Sequence, residues 1–121
     1  MPANKVIYLL EDDSAIRELV EYILVQQGFM VHAFGTVKSF QQGLQDIPPH
    51  LFIMDIMLPD GNGIDISIEL RSNPKTGDIP ILLMSANYNS TDEPIPGSAN
   101  QFLAKPFDID DLLQKVHMLT A

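Results

Sequence analysis

The chain has 121 residues, 45% of them apolar, and 7 Lys and Arg against 16 Asp and Glu give it a formal net charge of −9. We expect one domain over residues 1–121, because this length suits a single hydrophobic core. The absence of Cys excludes disulfides, thiolate zinc sites and cysteine nucleophiles. The excess of acids argues against direct nucleic-acid binding, which needs clustered Lys and Arg. No apolar run approaches the ~20 residues of a membrane span and no signal peptide is apparent, so we expect a soluble cytoplasmic protein without membrane contact.

Short apolar runs alternate with helical patterns along the chain. The runs predict strands over 6–10, 30–34, 51–54, 79–84 and 101–104. Between them, apolar residues recur three and four positions apart, as on one face of a helix. These are Ile16, Leu19, Val20, Ile23 and Leu24 in the first helix, Val37, Phe40 and Leu44 in the second, Ile64, Ile68 and Leu70 in the third, and Ile109, Leu112, Leu113, Val116 and Leu119 in the last.

The helix boundaries carry their own signals. Gly28 stands where a left-handed cap ends the first helix, Pro48-Pro49 closes the second, and Asp108 can cap the last. Strands without polar alternation, separated by amphipathic helices, predict a doubly wound α/β fold with a five-stranded parallel sheet covered on both faces.

One segment interrupts this alternation. A helix is due between the fourth and fifth strands, but Pro94 and Pro96 cannot both lie inside one. We therefore expect a shortened or irregular fourth helix, with at most one turn or an ordered loop, over residues 86–100.

Polar residues follow the carboxyl ends of the predicted strands, where sites lie in such sheets. Glu11 and Asp12 follow the first strand, Asp55 ends the third, Ser85 follows the fourth and Lys105 the fifth. Since neighbouring parallel strands end at the same edge, we expect Glu11, Asp12 and Asp55 to lie close together.

Crowded carboxylates repel one another and raise each other's pKa, which either a held proton or a hard cation relieves. A few oxygen ligands with open positions suit Mg²⁺. We expect Asp12 and Asp55 to bind Mg²⁺, with Glu11 acting mainly through water. The alternative for any one of these acids is a solvated helix cap, and Asp13 fits that description.

A metal beside a carboxylate, a hydroxyl and an ammonium is suited to phosphoryl transfer. The Asp55 carboxylate can attack phosphorus, while Mg²⁺ and the Lys105 ammonium neutralise the transferring oxygens and the Ser85 hydroxyl donates to one of them. The product would be an aspartyl phosphate. Taken singly, Lys105 could be a surface charge and Ser85 a helix cap.

The sequence resembles the receiver domain of two-component response regulators over nearly its whole length. The resemblance rests on four segments in the family's order: VIYLLEDDSAIR (6–17), FIMDIMLPDGNG (52–63), LMSA (83–86) and FLAKPF (102–107). It implies a CheY-like, or flavodoxin-like, fold with strand order 2-1-3-4-5. Asp55 matches the phosphoacceptor, Glu11 and Asp12 the acidic pair with Asp12 as the direct metal ligand, and the carbonyl of Met57 the backbone ligand of the metal.

The resemblance also implies a switch. Ser85 matches the hydroxyl that responds to phosphorylation, Lys105 the lysine before a commonly cis Pro106, and Phe102 the rotating aromatic. The hydroxyl would move toward the phosphoryl group, Phe102 would turn inward, and the surface around the fifth strand would change.

The family relationship implies several partners. A sensor histidine kinase or a histidine phosphotransfer protein would donate the phosphoryl group, and an effector domain or protein would receive the signal. A second copy of the chain is a further candidate partner. Such a domain is a signalling phosphoacceptor that promotes its own phosphorylation and hydrolysis, and not an enzyme in the usual sense.

Other functions stay open on the same sheet. An aspartyl-nucleophile phosphatase needs a second acid two residues after the nucleophile, where Met57 stands. A flavin or nucleotide binder needs a phosphate-holding loop after the first strand, where the acids would repel the anion. A phosphorylation-independent interaction module is the main alternative, because the stretch from Ser85 to Lys105 is about two residues shorter than the family's usual spacing.

Overall fold

A computed structural model of the chain describes residues 5–44, 48–86 and 99–121. Five strands form one sheet in the order β2-β1-β3-β4-β5, and every neighbouring pair is parallel. The strands are β1 (Val6–Leu10), β2 (Met30–Phe34), β3 (Leu51–Asp55), β4 (Ile81–Ser85) and β5 (Gln101–Ala104). The predicted sheet and its order, 2-1-3-4-5, are confirmed.

Four described helices connect and cover these strands: α1 (Ser14–Gln26), α2 (Val37–Gly43), α3 (Gly63–Ser72) and α4 (Ile109–Thr120). Each begins after a side chain that accepts a backbone N–H of the first turn, namely Asp13, Thr36, Asn62 and Asp108. Gly28 follows α1 with a φ of +95°, as its predicted capping position requires. Within the described residues, none of the helices combines the length and the apolar character that a membrane span requires.

The core lies in two layers because strand side chains alternate between the faces of the sheet. On one face, Leu10 and Met54 pack with residues of α2 and α3 such as Phe40. On the other face, Leu9 and Ile53 pack with residues of α1 and α4. All five residues of β3 are buried, so the strand that carries Asp55 is covered on both faces.

Several details differ from the sequence prediction. Leu19, Ile68 and Ile109 were assigned to apolar helix faces but are 48%, 49% and 46% exposed, because one sheet face covers only a narrow stripe of each helix. The fourth strand begins at Ile81 rather than 79, since it pairs with β3 only from that residue onward. The prediction for residues 86–100 falls mostly on positions 87–98, which lie outside the described residues.

A short antiparallel ribbon after β3 was not predicted. Met57–Leu58 pairs with Gly61–Asn62, directly before α3. The ribbon continues from the strand that ends at Asp55, and it therefore borders the carboxyl edge of the sheet.

Candidate phosphoacceptor and metal site

The strand register brings the predicted site residues to one edge of the sheet. Leu10 of β1 pairs with Met54 of β3, so Glu11 and Asp12 leave the sheet beside Asp55. The backbone N–H of Glu11 still donates to the carbonyl of Phe34 at 3.0 Å, which extends the contact with β2 by one residue.

The three acids meet at this edge as expected. Glu11, Asp12 and Asp55 each offer one carboxylate oxygen, and these atoms all lie within 4.8 Å of one another. Glu11 is fully buried and Asp55 is 6% exposed, whereas Asp12 is open to solvent. The cluster therefore combines two buried carboxylates with one that solvent ions can reach.

Lys105 joins the cluster from the end of β5. Its ammonium donates to Oδ2 of Asp55 at 3.0 Å and to Oε1 of Glu11. The backbone N–H of Lys105 donates to the carbonyl of Ser85 at 3.0 Å, and the peptide bond to Pro106 is cis. The lysine is thus held between the ends of β1, β3 and β4.

Burial and pairing set the protonation of these groups. Burial raises the pKa of Glu11 to about 7, and the hydrogen bonds from Lys105 and from the backbone of Asp13 only partly oppose this. Burial lowers the pKa of Lys105, but the hydrogen bonds to Glu11 and Asp55 outweigh it, so the net pKa lies above its usual value. The Lys105 ammonium therefore stays charged at neutral pH, whereas the Glu11 carboxyl changes its protonation near neutral pH.

The donor set fits Mg²⁺. Three carboxylates at −1 and one ammonium at +1 sum to −2 when all are ionised, which a divalent cation balances. All the side-chain ligands are hard oxygens, and the solvent-exposed Asp12 leaves room for the waters that Mg²⁺ retains. Among the described residues, this is the group of at least three acids, His or Cys whose geometry could hold a metal ion.

The remaining predicted residues lie on β4, on β5 and in the ribbon, the segments that reach this edge of the sheet. Ser85 is the last residue of β4, is 3% exposed and pairs in register with Ala104, next to Lys105. Phe102 is 6% exposed and packs in the core layer that faces α2 and α3. Met57 lies in the ribbon two residues past Asp55, with its side chain 61% exposed.

Two residues to which the sequence analysis assigned no role, Arg17 and Asp60, form hydrogen bonds with main-chain groups. Arg17 of α1 donates from Nη1 to the carbonyl of Glu11 at 2.8 Å and to that of Asp12 at 3.4 Å. Asp60 of the ribbon accepts from the backbone N–H groups of Val37 and Lys38 at the start of α2. The signal for Arg17 was its position in the first turn of the helix that follows the acids.

Comparison with known proteins agrees with this geometry. The chain matches the family model described as "Response regulator receiver domain" over residues 7–117. The transcriptional regulatory protein GltR of Pseudomonas aeruginosa is 34% identical over 98% of the chain and 50% of its own length. The DNA-binding dual master transcriptional regulator RpaA of Synechocystis sp. is 33% identical over 93% of the chain and 48% of its own length. The chain thus spans about half the length of these curated relatives.

A solved structure extends the likeness to the fold. The response regulator protein TrrA of Thermotoga maritima, in complex with Mg²⁺ and BeF, superposes with a TM-score of 0.83 at 26% identity, covering 95% of this chain and 98% of that one. The chain belongs to the response regulator receiver domain family.

Proposed function

We propose that this receiver domain accepts a phosphoryl group on Asp55, with Mg²⁺ held by Asp12, Asp55 and the carbonyl of Met57. Glu11 would bind the same ion mainly through water. The observation that carries the proposal is the placement of the Lys105 ammonium 3.0 Å from Oδ2 of Asp55, inside a cluster of three acids. A carboxylate beside a fixed cation and a metal-binding acid is the arrangement that phosphoryl transfer needs.

The residues have separate tasks in the reaction. An oxygen of Asp55 attacks phosphorus and forms the new P–O bond, while the P–N bond of a phosphohistidine donor breaks and its electron pair stays on the imidazole nitrogen. Lys105 offsets the negative charge of the transferring oxygens, and the Ser85 hydroxyl donates to one of them. When bound, Mg²⁺ supplies further charge neutralisation at the same oxygens. Hydrolysis of the aspartyl phosphate would return the domain to its starting state.

The signal would pass through Ser85 and Phe102. Ser85 ends β4 and pairs in register with the end of β5, the strand that carries Phe102. A hydroxyl drawn toward the phosphoryl group would change the packing against that aromatic ring, and β5 would transmit the change to its outer surface. A phosphoryl group favours one of two states only by contacting them differently.

The partners follow from the family relationship. A sensor histidine kinase or a histidine phosphotransfer protein would supply the phosphoryl group in the cytoplasm. The output would pass to an effector domain or protein, because relatives of about twice this length are named transcriptional regulators. TrrA is solved in complex with Mg²⁺ and BeF, which supports Mg²⁺ as the ion in this chain.

The test is phosphorylation by a small donor. With acetyl phosphate and Mg²⁺, we expect intact-mass spectrometry to show one added phosphoryl group, which EDTA and Asp55→Asn both abolish. Asp65→Asn is the matched control, since Asp65 is an exposed acid on α3 outside the cluster, and it should be labelled like the parent chain. An unlabelled parent chain, under conditions that label another receiver domain, would favour the phosphorylation-independent interaction module instead.

A further inference from the structure

Arg17 reaches from α1 back to the segment that carries the two acids. Its Nη1 donates to the carbonyl oxygen of Glu11 at 2.8 Å and lies 3.4 Å from that of Asp12. These carbonyls belong to the turn where the chain leaves β1 and has no further register with β3. A charged donor therefore holds the backbone of this turn at two successive carbonyl oxygens.

Other contacts also hold this turn, among them the ammonium of Lys105, which donates to Oε1 of Glu11. The Glu11 N–H donates to Phe34, and Oε2 of Glu11 accepts from the backbone N–H of Asp13 at 3.1 Å. Asp12 is exposed, and its placement depends on the backbone on either side of it. A hydrogen bond from a guanidinium to a carbonyl is charge-assisted and directional, so Arg17 is suited to set the direction in which Asp12 projects.

The segment that follows β2 leaves room for the Arg17 guanidinium. A Cβ atom on Gly35, just after β2, would lie 3.0 Å from Nη1 of Arg17 and 3.5 Å from its Cζ. Gly35 does not have a positive φ, so the backbone conformation alone does not require glycine there. A side chain at position 35 would therefore crowd the Arg17 guanidinium.

We propose that Arg17 is a positioning residue that orients the acidic turn at Glu11 and Asp12 for Mg²⁺. The inference rests on the proposed function, because it assumes that these acids hold the ion. The change in Mg²⁺ affinity that the inference predicts is opposite to the change that charge alone would cause. A positive group near a cation site repels the cation, so loss of Arg17 by that effect would tighten Mg²⁺ binding, whereas loss of orientation weakens it.

The experiment compares three variants of the full chain. Arg17→Met removes both the positive charge and the hydrogen-bond donors. Arg17→Lys keeps the charge but has a shorter side chain with a single donor nitrogen. Arg71→Met is the matched control, because Arg71 also donates to backbone carbonyls, those of Gly77 at 2.6 Å and Ile79 at 3.1 Å, away from the acids. Mg²⁺ affinity comes from amide NMR shifts during metal titration, and hydrogen exchange of the turn is measured in metal-free protein, both with every variant fully folded.

We expect Arg17→Met to weaken Mg²⁺ binding by roughly tenfold, the usual effect of removing a group that orients a metal ligand. Arg17→Lys should restore most of the affinity, and Arg71→Met should leave it unchanged while lowering the unfolding midpoint. Exchange of the Asp13 amide should quicken in Arg17→Met. Tighter or unchanged binding in Arg17→Met would overturn the inference, as would equal weakening in Arg71→Met.

Gly35→Ala offers an independent perturbation of the same contact. The added methyl should displace the guanidinium by a few tenths of an ångström and weaken Mg²⁺ binding about twofold, without the loss of stability expected of a merely structural defect. If the parent chain binds no Mg²⁺, the proposed function fails. The metal-free exchange of the turn then decides the role of Arg17, and unchanged exchange in Arg17→Met would refute it.

Discussion

The two sides of the acid cluster are built differently. On the β3 side, Asp55 ends a strand buried along its whole length, and the backbone behind it touches Gly63 so closely that a Cβ there would lie 2.2 Å from the Asp55 carbonyl oxygen. On the β1 side, Glu11 and Asp12 lie in a turn that side chains hold by hydrogen bonds. Asp55, proposed as nucleophile and metal ligand, is thus fixed by backbone packing, whereas the turn that carries the exposed ligand Asp12 is held by polar contacts.

This difference matches the two tasks. A nucleophile must stay within a few tenths of an ångström of its attacking position, and close-packed backbone allows little displacement. An acid that takes up and releases a hydrated ion benefits from an exposed, hydrogen-bonded setting. Substitutions that disturb packing on the β3 side should therefore lower the free energy of unfolding most. Substitutions of polar residues on the β1 side and in the ribbon should lower it less.

Gly63→Ala is expected to have the largest effect on stability. Its methyl would meet the carbonyl of Asp55, which ends the buried β3, and the Cα of the buried Ile56 that follows, and main-chain atoms there cannot move aside. We expect the free energy of unfolding to fall by about 3 kcal/mol, at the upper end of the usual cost of overpacking. Urea unfolding followed by circular dichroism measures it.

Gly61→Ala is the matched control for that prediction. The same methyl two residues earlier would meet Cγ2 of Val37 at 2.8 Å, the tip of a side chain that can shift. We expect a loss of about 1 kcal/mol, because a methyl contact relaxes more easily than a carbonyl. Equal losses in the two variants would show that the β3 side is no more rigid than the ribbon. If Gly63→Ala does not fold while Gly61→Ala does, the difference stands.

The β3 side was also the more predictable from sequence. The apolar runs from Leu51 and from Ile79 indicated buried parallel strands, whose carboxyl ends lie at the same edge of a sheet. The family resemblance implied that the first and third strands are neighbours, so the convergence of Glu11, Asp12 and Asp55 was expected. The sequence did not predict that Glu11 is fully buried or that Lys105 contacts both buried acids, because these features depend on side-chain conformation.

The contacts that were missed involve main-chain donors or acceptors, or very short strand pairings. Arg17 and Asp60 bond to main-chain atoms, whose positions leave no trace in residue type. The ribbon pairs only two residues with two, which is too short for a periodic pattern. Pro80 was assigned to the fourth strand, and its carbonyl does accept from Phe52, but the register starts one residue later.

Asp13→Ala should have an intermediate effect, on the β1 side. Oδ1 of Asp13 accepts from the Ile16 N–H at 3.1 Å and caps α1. We expect unfolding to become easier by about 1 kcal/mol, the usual cost of a lost N-cap, and Asp13→Asn to retain most of the stability. Because the backbone N–H of Asp13 still donates to Glu11, Mg²⁺ affinity should change much less than in Arg17→Met. A comparable loss of affinity in both would mean that the cap, and not the carbonyl contact, orients the turn.

Asp60→Asn should have the smallest effect, and it should depend on pH. The N–H groups of Val37 and Lys38 hold the pKa of the Asp60 carboxyl below its usual value of 3.8. A carboxyl whose pKa is lower in the folded state stabilises the fold above its unfolded pKa, and this stabilisation is lost as the pH falls through the folded value. The parent chain should therefore unfold at higher urea than Asp60→Asn at pH 7, and the gap should narrow toward pH 3.

The exposed Asp65 separates this local bond from a general effect of charge. Asp65→Asn removes the same charge from the first turn of α3, but no bond to α2. The urea midpoint of Asp65→Asn is compared with that of the parent chain at both pH values. If their difference narrows between pH 7 and pH 3 as much as it does for Asp60→Asn, the pH dependence comes from the net charge of −9. A pH-dependent difference confined to Asp60→Asn would show that an ionised side chain ties the ribbon to α2, because Asp60 accepts from the start of α2 through both of its carboxylate oxygens.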